Sequence, residues 1–219
     1  MRKAILISLA LCLAFGACTA AAQEDAMLAA AQKLVPADAI HTRTHQDDGY
    51  IQVKFMAQGE EYEVKFLPNE SEPFRLESER ELLGASQPLL LDKEQAKEAI
   101  AAAWPDAEIL FVFTEEDDHT YFNRVIFRTD SVLGMIELHP ETLAVQERKI
   151  YFGTFNPPTE EDVLALLAEQ APQAVLSTLK LDDERGTIRY EGEATEGRTE
   201  YEFVIDIANG DLIEWKVDD

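Results

Sequence analysis

The stretch AIAAAWPDAEILFVF, residues 99–113, begins at the spacing of a helix and ends as a dense apolar run of strand length, with Pro105 at the join. Upstream, Asp92 is placed to cap a helix, and Gln95 three residues on completes a capping box. Ala96, Ala99, Ile100, Ala103 and Trp104 recur at helical spacing and make one apolar stripe. Pro105 lacks a backbone donor and pushes Trp104 toward extended backbone, so the helix must stop before it. The apolar run 109–113 then predicts a buried strand.

The same change of period occurs twice more. Met27, Ala31, Leu34 and Val35 form a helical stripe that ends at Pro36. Thr159 caps a helix whose first turn, Glu160, Glu161 and Asp162, suits the helix dipole. Its stripe of Val163, Leu166, Leu167 and Ala171 stops at Pro172. The three prolines are spaced by 69 and 67 residues. After each comes a strand and then an acidic turn: Asp47-Asp48-Gly49, Glu115-Glu116-Asp117-Asp118, or Asp182-Asp183-Glu184-Arg185-Gly186. Three further strands follow each turn, at 50–55, 61–67 and 74–79, at 121–127, 132–138 and 145–152, and at 187–190, 201–205 and 212–217. In the first group's strand at 61–67, Tyr62, Val64 and Phe66 alternate with Glu61, Glu63 and Lys65, the pattern of a sheet with one dry and one wet face. The expected fold class is α+β: three tandem units, each one helix packed on a roughly four-stranded antiparallel sheet. They would span 23–82, 83–153 and 154–219. Units this short are marginal alone, so neighbours are expected to pack or to share sheet edges.

Charge narrows the function. The 219 residues carry 43 acidic and 19 basic side chains, a net charge of −24. Such a surface repels phosphate backbones and anionic lipid, which excludes nucleic acid as a partner. Residues 1–22 read as a signal segment, with Arg2 and Lys3 before an apolar run at 4–15 that is too short to span a bilayer. Two cleavage sites compete. Ala20-Ala21-Ala22 fits the small-x-small rule, and Phe15-Gly16-Ala17-Cys18 resembles a bacterial lipobox in which Cys18 would be lipidated. Export to the periplasm follows from either, and membrane contact only from the second. Both cysteines, Cys12 and Cys18, lie in this segment, so no disulfide is expected in the exported chain.

No catalytic constellation is legible. Ser71, Ser78, Ser86, Ser131 and Ser177 lie in no nucleophile elbow, and no zinc-protease, phosphate-loop or dinucleotide pattern occurs. No cofactor and no metal are therefore expected. His41 and His45 have helical ligand spacing but follow Pro36, so on a strand they would share one face with Arg43. His119 and His139 read as exposed turn neighbours. The acidic turns lack a converging calcium loop and read as solvated. Asp206, Asn209 and Asp211 would fix a turn around Gly210. Tyr151 to Pro158 reads as a packed hinge burying Phe152 and Phe155, and the apolar connection 82–91 is expected to dock.

PTEEDVLALLAEQAPQAVLSTLKLDDERGTIRYEGEATEGRTEYEFVIDIANGDLIEWKVDD, residues 158–219, resembles the PepSY domain family. The likeness rests on its Glu- and Ala-rich helix, the strand Tyr201-Glu202-Phe203-Val204-Ile205-Asp206, and the turn Asn209-Gly210-Asp211. The two earlier units resemble it more loosely. The resemblance implies a binding role. PepSY domains occur in propeptides of thermolysin-like peptidases, where they assist folding and inhibit, and as free-standing exported modules. A related group resembles the β-lactamase inhibitory protein, which presents a concave sheet to an enzyme. The expected function is an exported, non-enzymatic module that engages a protein, a periplasmic peptidase or another envelope protein, through a sheet face. An acidic, cation-responsive protein tuning an envelope sensor is the alternative. In the third unit, Glu202, Val204, Arg189 and Trp215 are the candidate partner-binding residues, with Trp215 either an interface anchor or a cap on the core.

Overall fold

A computed structural model describes residues 22–80, 85–117 and 119–218. Residues 1–21, which hold Cys12, Cys18 and all but the last residue of the signal segment expected at 1–22, lie outside the described residues, as does the expected junction at 81–84. Helix α1 spans 22–31, α2 Lys93–Ile100 and α3 Glu160–Gln170. Both halves of the capping box form at α2: Asp92 Oδ1 accepts from the Gln95 N–H at 2.9 Å, and the Asp92 N–H donates to Gln95 Oε1 at 3.0 Å. The helix ends at Ile100, and the Trp104 N–H still reaches the Ile100 carbonyl at 2.9 Å, one last turn before Pro105. Thr159 and Asp162 form the corresponding box at α3.

Four strands follow each helix: β1 (Ile40–Asp47), β2 (Tyr50–Ala57), β3 (Glu60–Phe66) and β4 (Arg75–Arg80); β5 (Glu108–Asp117), β6 (Thr120–Arg128), β7 (Val132–Leu138) and β8 (Val145–Phe152); β9 (Val175–Glu184), β10 (Thr187–Glu196), β11 (Thr199–Asp206) and β12 (Leu212–Asp218). Asp48-Gly49, Gln58-Gly59 and Arg185-Gly186 carry positive φ at both positions, as two-residue type I′ hairpins require. The acidic runs expected as turns are shorter turns than the sequence suggested. Asp182, Asp183 and Glu184 belong to β9, and only Arg185-Gly186 reverses the chain. Glu115, Glu116 and Asp117 likewise belong to β5.

The strands form two antiparallel sheets rather than three. One has eight strands in the order β1-β2-β3-β4-β8-β7-β6-β5; the other has four, β12-β11-β10-β9. The first two four-strand groups are fused because β4 pairs antiparallel with β8, from Arg75↔Tyr151 to Glu79↔Glu147. Pairing satisfies the backbone groups that two separate edges would leave open.

Helices α1 and α2 cover one face of the large sheet. Met27, Ala31 and Val35, with Ala96 and Ile100, pack on Val53, Phe55, Val64, Phe66, Val125, Phe127, Ile136 and Ile150. The opposite face is apolar only over β5–β8, where Leu110, Phe111, Ile126, Leu133, Met135 and Tyr151 meet the small sheet and α3. Phe111 meets Tyr190 edge-on at 5.5 Å. β7 is therefore buried on both faces, and its sequence VLGMIEL is correspondingly a nearly continuous apolar run. Of the expected hinge, Phe152 packs on the first core and Phe155 on the second, while Pro157 and Pro158 are buried. In the other connection Ala85 is buried and bridges Tyr121, but Leu90 is 77% exposed.

Candidate binding face

The small sheet sits on the large one through a buried polar knot. The Asp183 side chain is 0% exposed. It accepts hydrogen bonds from the Tyr50 hydroxyl and, at 2.9 Å, from the Tyr151 hydroxyl, and it pairs with the Arg75 guanidinium. Arg75 also reaches Glu77 at 3.0 Å, and the Gly186 N–H donates to Tyr50 Oη at 2.6 Å. Burial raises the pKa of both tyrosines, so the phenols remain neutral donors. Sequence reasoning placed Asp183 in a solvated turn. The signal that finds it is period two: Leu179, Leu181 and Asp183 point to the same side of β9.

The other side of β9–β12 bears no helix. Register puts Lys180, Asp182, Arg189, Glu191, Glu202, Val204, Glu214 and Lys216 on it. Arg189 is ringed by Asp182 at 3.2 Å, Glu184 at 3.2 Å and Glu191 at 2.9 Å. Burial works against its charge, but these carboxylates outweigh burial and hold its pKa above the ordinary arginine value. Glu202 is exposed and Val204 half-buried between the charges. Arg189, Glu202 and Val204 therefore share a face. Trp215 does not: it stands opposite Phe203 and stacks on Tyr201 at 4.9 Å, on the apolar side. Its side was unreadable without the β11–β12 register, which carries a bulge between Leu212 and Glu214. The turn before β12 is built as expected, with Ala208 N–H on Asp206 Oδ1 at 2.7 Å, Asp211 N–H on Asn209 Oδ1 at 3.0 Å, and positive φ at Gly210.

A bulge between His41 and Arg43 also corrects the histidine reading. His41 pairs with Phe55 and His45 with Gln52, so the two rings lie on opposite faces of β1. Among the described residues, no cluster of three or more His, Cys, Asp or Glu is placed to hold a metal ion.

The side of the large sheet turned away from α1 and α2, the side on which the small sheet sits, carries an acidic row. Glu61, Glu79, Glu147 and Glu137 stand directly opposite one another across β3, β4, β8 and β7, and the row ends on Arg124. Arg124 pairs with Glu137 at 2.9 Å and with Glu115 at 2.6 Å, and Thr178 donates to Glu115 at 2.5 Å. Burial raises the Glu115 pKa against Arg124 and Thr178, and burial together with Glu137 raises that of Glu147. A carboxyl with a raised folded pKa binds its proton more tightly folded than unfolded. Its contribution to stability therefore grows as pH falls from neutrality and is complete below the ordinary value of 4.5. Glu63 acts oppositely. Burial disfavours its charge, but Lys54 and Lys65 hold its pKa below 4.5, so its stabilisation is lost only as pH falls through that lower value. The denaturant midpoint is thus expected to be higher near about pH 5 than at pH 7, and Glu147→Gln should shrink the difference. Equal midpoints at both pH values would contradict this reading of the row.

Residues 159–216, which hold α3 and most of the small sheet, match the family described as peptidase propeptide and YPEB domain, PepSY. Among curated proteins, none matches the chain. Solved structures similar to it include a candidate lipoprotein from Clostridium difficile 630, 14% identical, with a TM-score of 0.35, covering 62% of this chain and 99% of that one. Another is the YpeB C-terminal domain of Bacillus megaterium, 10% identical, with a TM-score of 0.35, covering 89% and 96%. A DUF2874 family protein from Bacteroides uniformis is 11% identical, with a TM-score of 0.24, covering 88% and 87%. Among the described residues, no helix is long and apolar enough to cross a membrane.

Proposed function

We propose that the chain is an exported, non-enzymatic regulatory module built of three PepSY-like units, and that it engages a protein partner through the charged side of β9–β12. A periplasmic peptidase is the partner class to test first, because the family matched at 159–216 is described by peptidase propeptides. The carrying observation is that this segment's sheet leaves Arg189, Glu202 and Val204 on a side without a helix. Charges arranged in this way favour specificity and encounter rate over chemistry. Export rests on the leader at 1–22, with lipidation of Cys18 as one of its two outcomes.

The test compares wild type with a Glu202→Lys, Val204→Glu variant as bait in a periplasmic extract, reading captured proteins and the peptidase activity of the extract. The variant should melt like wild type, because both sites are on the wet side. It should lose a peptidase that wild type captures, and with it the inhibition. Identical captures by both forms, or hydrolytic turnover by the purified chain itself, would end this proposal.

A further inference from the structure

The two edges of the small sheet differ. β9 lies across the large sheet, where the Leu181 N–H meets Met135 Sδ at 3.4 Å and Lys149 Nζ donates to the Leu181 carbonyl at 3.3 Å. β12 forms the opposite edge, and among the described residues no strand pairs with its outer side. Elsewhere in this molecule the same position is never left open. β4 and β8, each the fourth strand after its helix, pair with each other antiparallel through five residue pairs, Arg75↔Tyr151 to Glu79↔Glu147.

The sequence of β12 is self-complementary about one residue. Residues 213–217 read Ile-Glu-Trp-Lys-Val. An antiparallel partner of the same sequence, with the two-fold axis at Trp215, sets Glu214 against Lys216 of the second copy, and Ile213 against its Val217. Opposite charges and β-branched pairs directly across two strands are stabilising. Alternation puts Val217 on the side of Trp215, and Ile213 is the extra residue of the bulge; they remain 53% and 56% exposed. The run is also locally neutral, Glu214 against Lys216, in a chain of net charge −24. Two copies meeting over these five residues bring no net charge together. Lysine and a bulge are the usual defences of an edge strand. Here the bulge lies at the start of the run, at Leu212–Glu214. The lysine is already neutralised by Glu214 at 2.5 Å in its own chain, and pairing with a second copy would add that copy's Glu214 to it.

We infer that the chain forms a symmetric dimer by antiparallel pairing of β12 with β12 of a second copy, centred on Trp215. The result is a second eight-stranded sheet, joined through fourth strands as the first one is. Isologous contacts of this kind close on themselves and stop at two copies. The charged sides of the two small sheets then form one continuous surface. The inference does not depend on the partner proposed above, whose test variant lies on β11.

Sedimentation of the protein purified after export, over a range of concentrations, tests it. Wild type should be a dimer. Lys216→Glu sets like charges opposite one another twice per dimer and should raise the dissociation constant by roughly tenfold or more. Glu214→Lys should do the same. The double variant Glu214→Lys, Lys216→Glu restores both opposite-charge pairs and should return the constant to near the wild-type value. Amide exchange at 214–217 should slow with concentration in wild type and not in the single variants. A wild-type monomer at every concentration would overturn the inference. So would a dimer whose constant the single variants leave unchanged.

Discussion

Asp183→Ala is expected to destabilise the protein by about 3 kcal/mol or more, the range for breaking a buried ion pair from one side. The carboxylate is 0% exposed and serves three partners at once: Arg75, Tyr50 and Tyr151. Its removal leaves the Arg75 guanidinium, itself 6% exposed, with Glu77 as its remaining carboxylate. It also strands two neutral phenols whose raised pKa values prevent ionisation as an escape. Glu77 keeps the loss toward the low end of the range. Asp183→Asn retains the shape and one acceptor and should lose less. Asp183→Ala combined with Arg75→Met should lose less than the sum of the two single variants, because no charge is then left buried. Urea unfolding followed by tyrosine and tryptophan signals measures all four. A loss below about 1 kcal/mol for Asp183→Ala, no more than an ordinary hydrogen bond, would mean that the knot does not hold the sheets together.

The contrast between that knot and the helices shows what a sequence of this kind reveals. Capping boxes, apolar stripes and prolines are local, so α2 and α3 could be read from Asp92, Gln95, Pro105, Thr159 and Pro172. Strand alternation is local too, and Tyr62, Val64 and Phe66 are buried as the pattern requires. Pairing between distant strands is not local. Nothing in 75–80 or 145–152 announces that β4 and β8 will join two four-strand groups into one sheet. The acidic row depends on that same pairing, because Glu79 meets Glu147 only across it. Bulges defeat the reading more subtly. One extra residue in β1 sends His41 and His45 to opposite sides, and one in β12 hides which side Trp215 takes. For the candidate face, Arg189, Glu202 and Val204 were readable from alternation within single strands. Trp215 required the register between strands.

Gly192 illustrates a position that only packing explains, and its substitution should be the second large loss. Gly192 lies in β10 opposite Phe203 and Leu179. The Phe203 ring folds over it so closely that a Cβ there would sit 2.3 Å from Phe203 Cζ and 2.7 Å from Leu179 Cδ1. Both neighbours are fully buried, so neither ring nor methyl has free space to retreat into. Gly134 in β7 has the same relation to Phe127, at 2.4 Å from Cζ, with Ile150 on its other side. In both sheets an aromatic side chain occupies the volume that the glycine leaves. Alanine should suit an extended strand better than glycine by roughly 0.5–1 kcal/mol. Overpacking of about 1–3 kcal/mol outweighs that gain, so Gly192→Ala is expected to be net destabilising and Gly192→Val more so. The cause can be separated from backbone effects by a second change. Phe203→Leu alone opens a gap above Gly192 and should destabilise. In the Gly192→Ala background the new methyl fills part of that gap, and the two losses should add to less than their sum. Strict additivity, or a Gly192→Ala protein as stable as wild type, would show that the ring is not what excludes a side chain at this position.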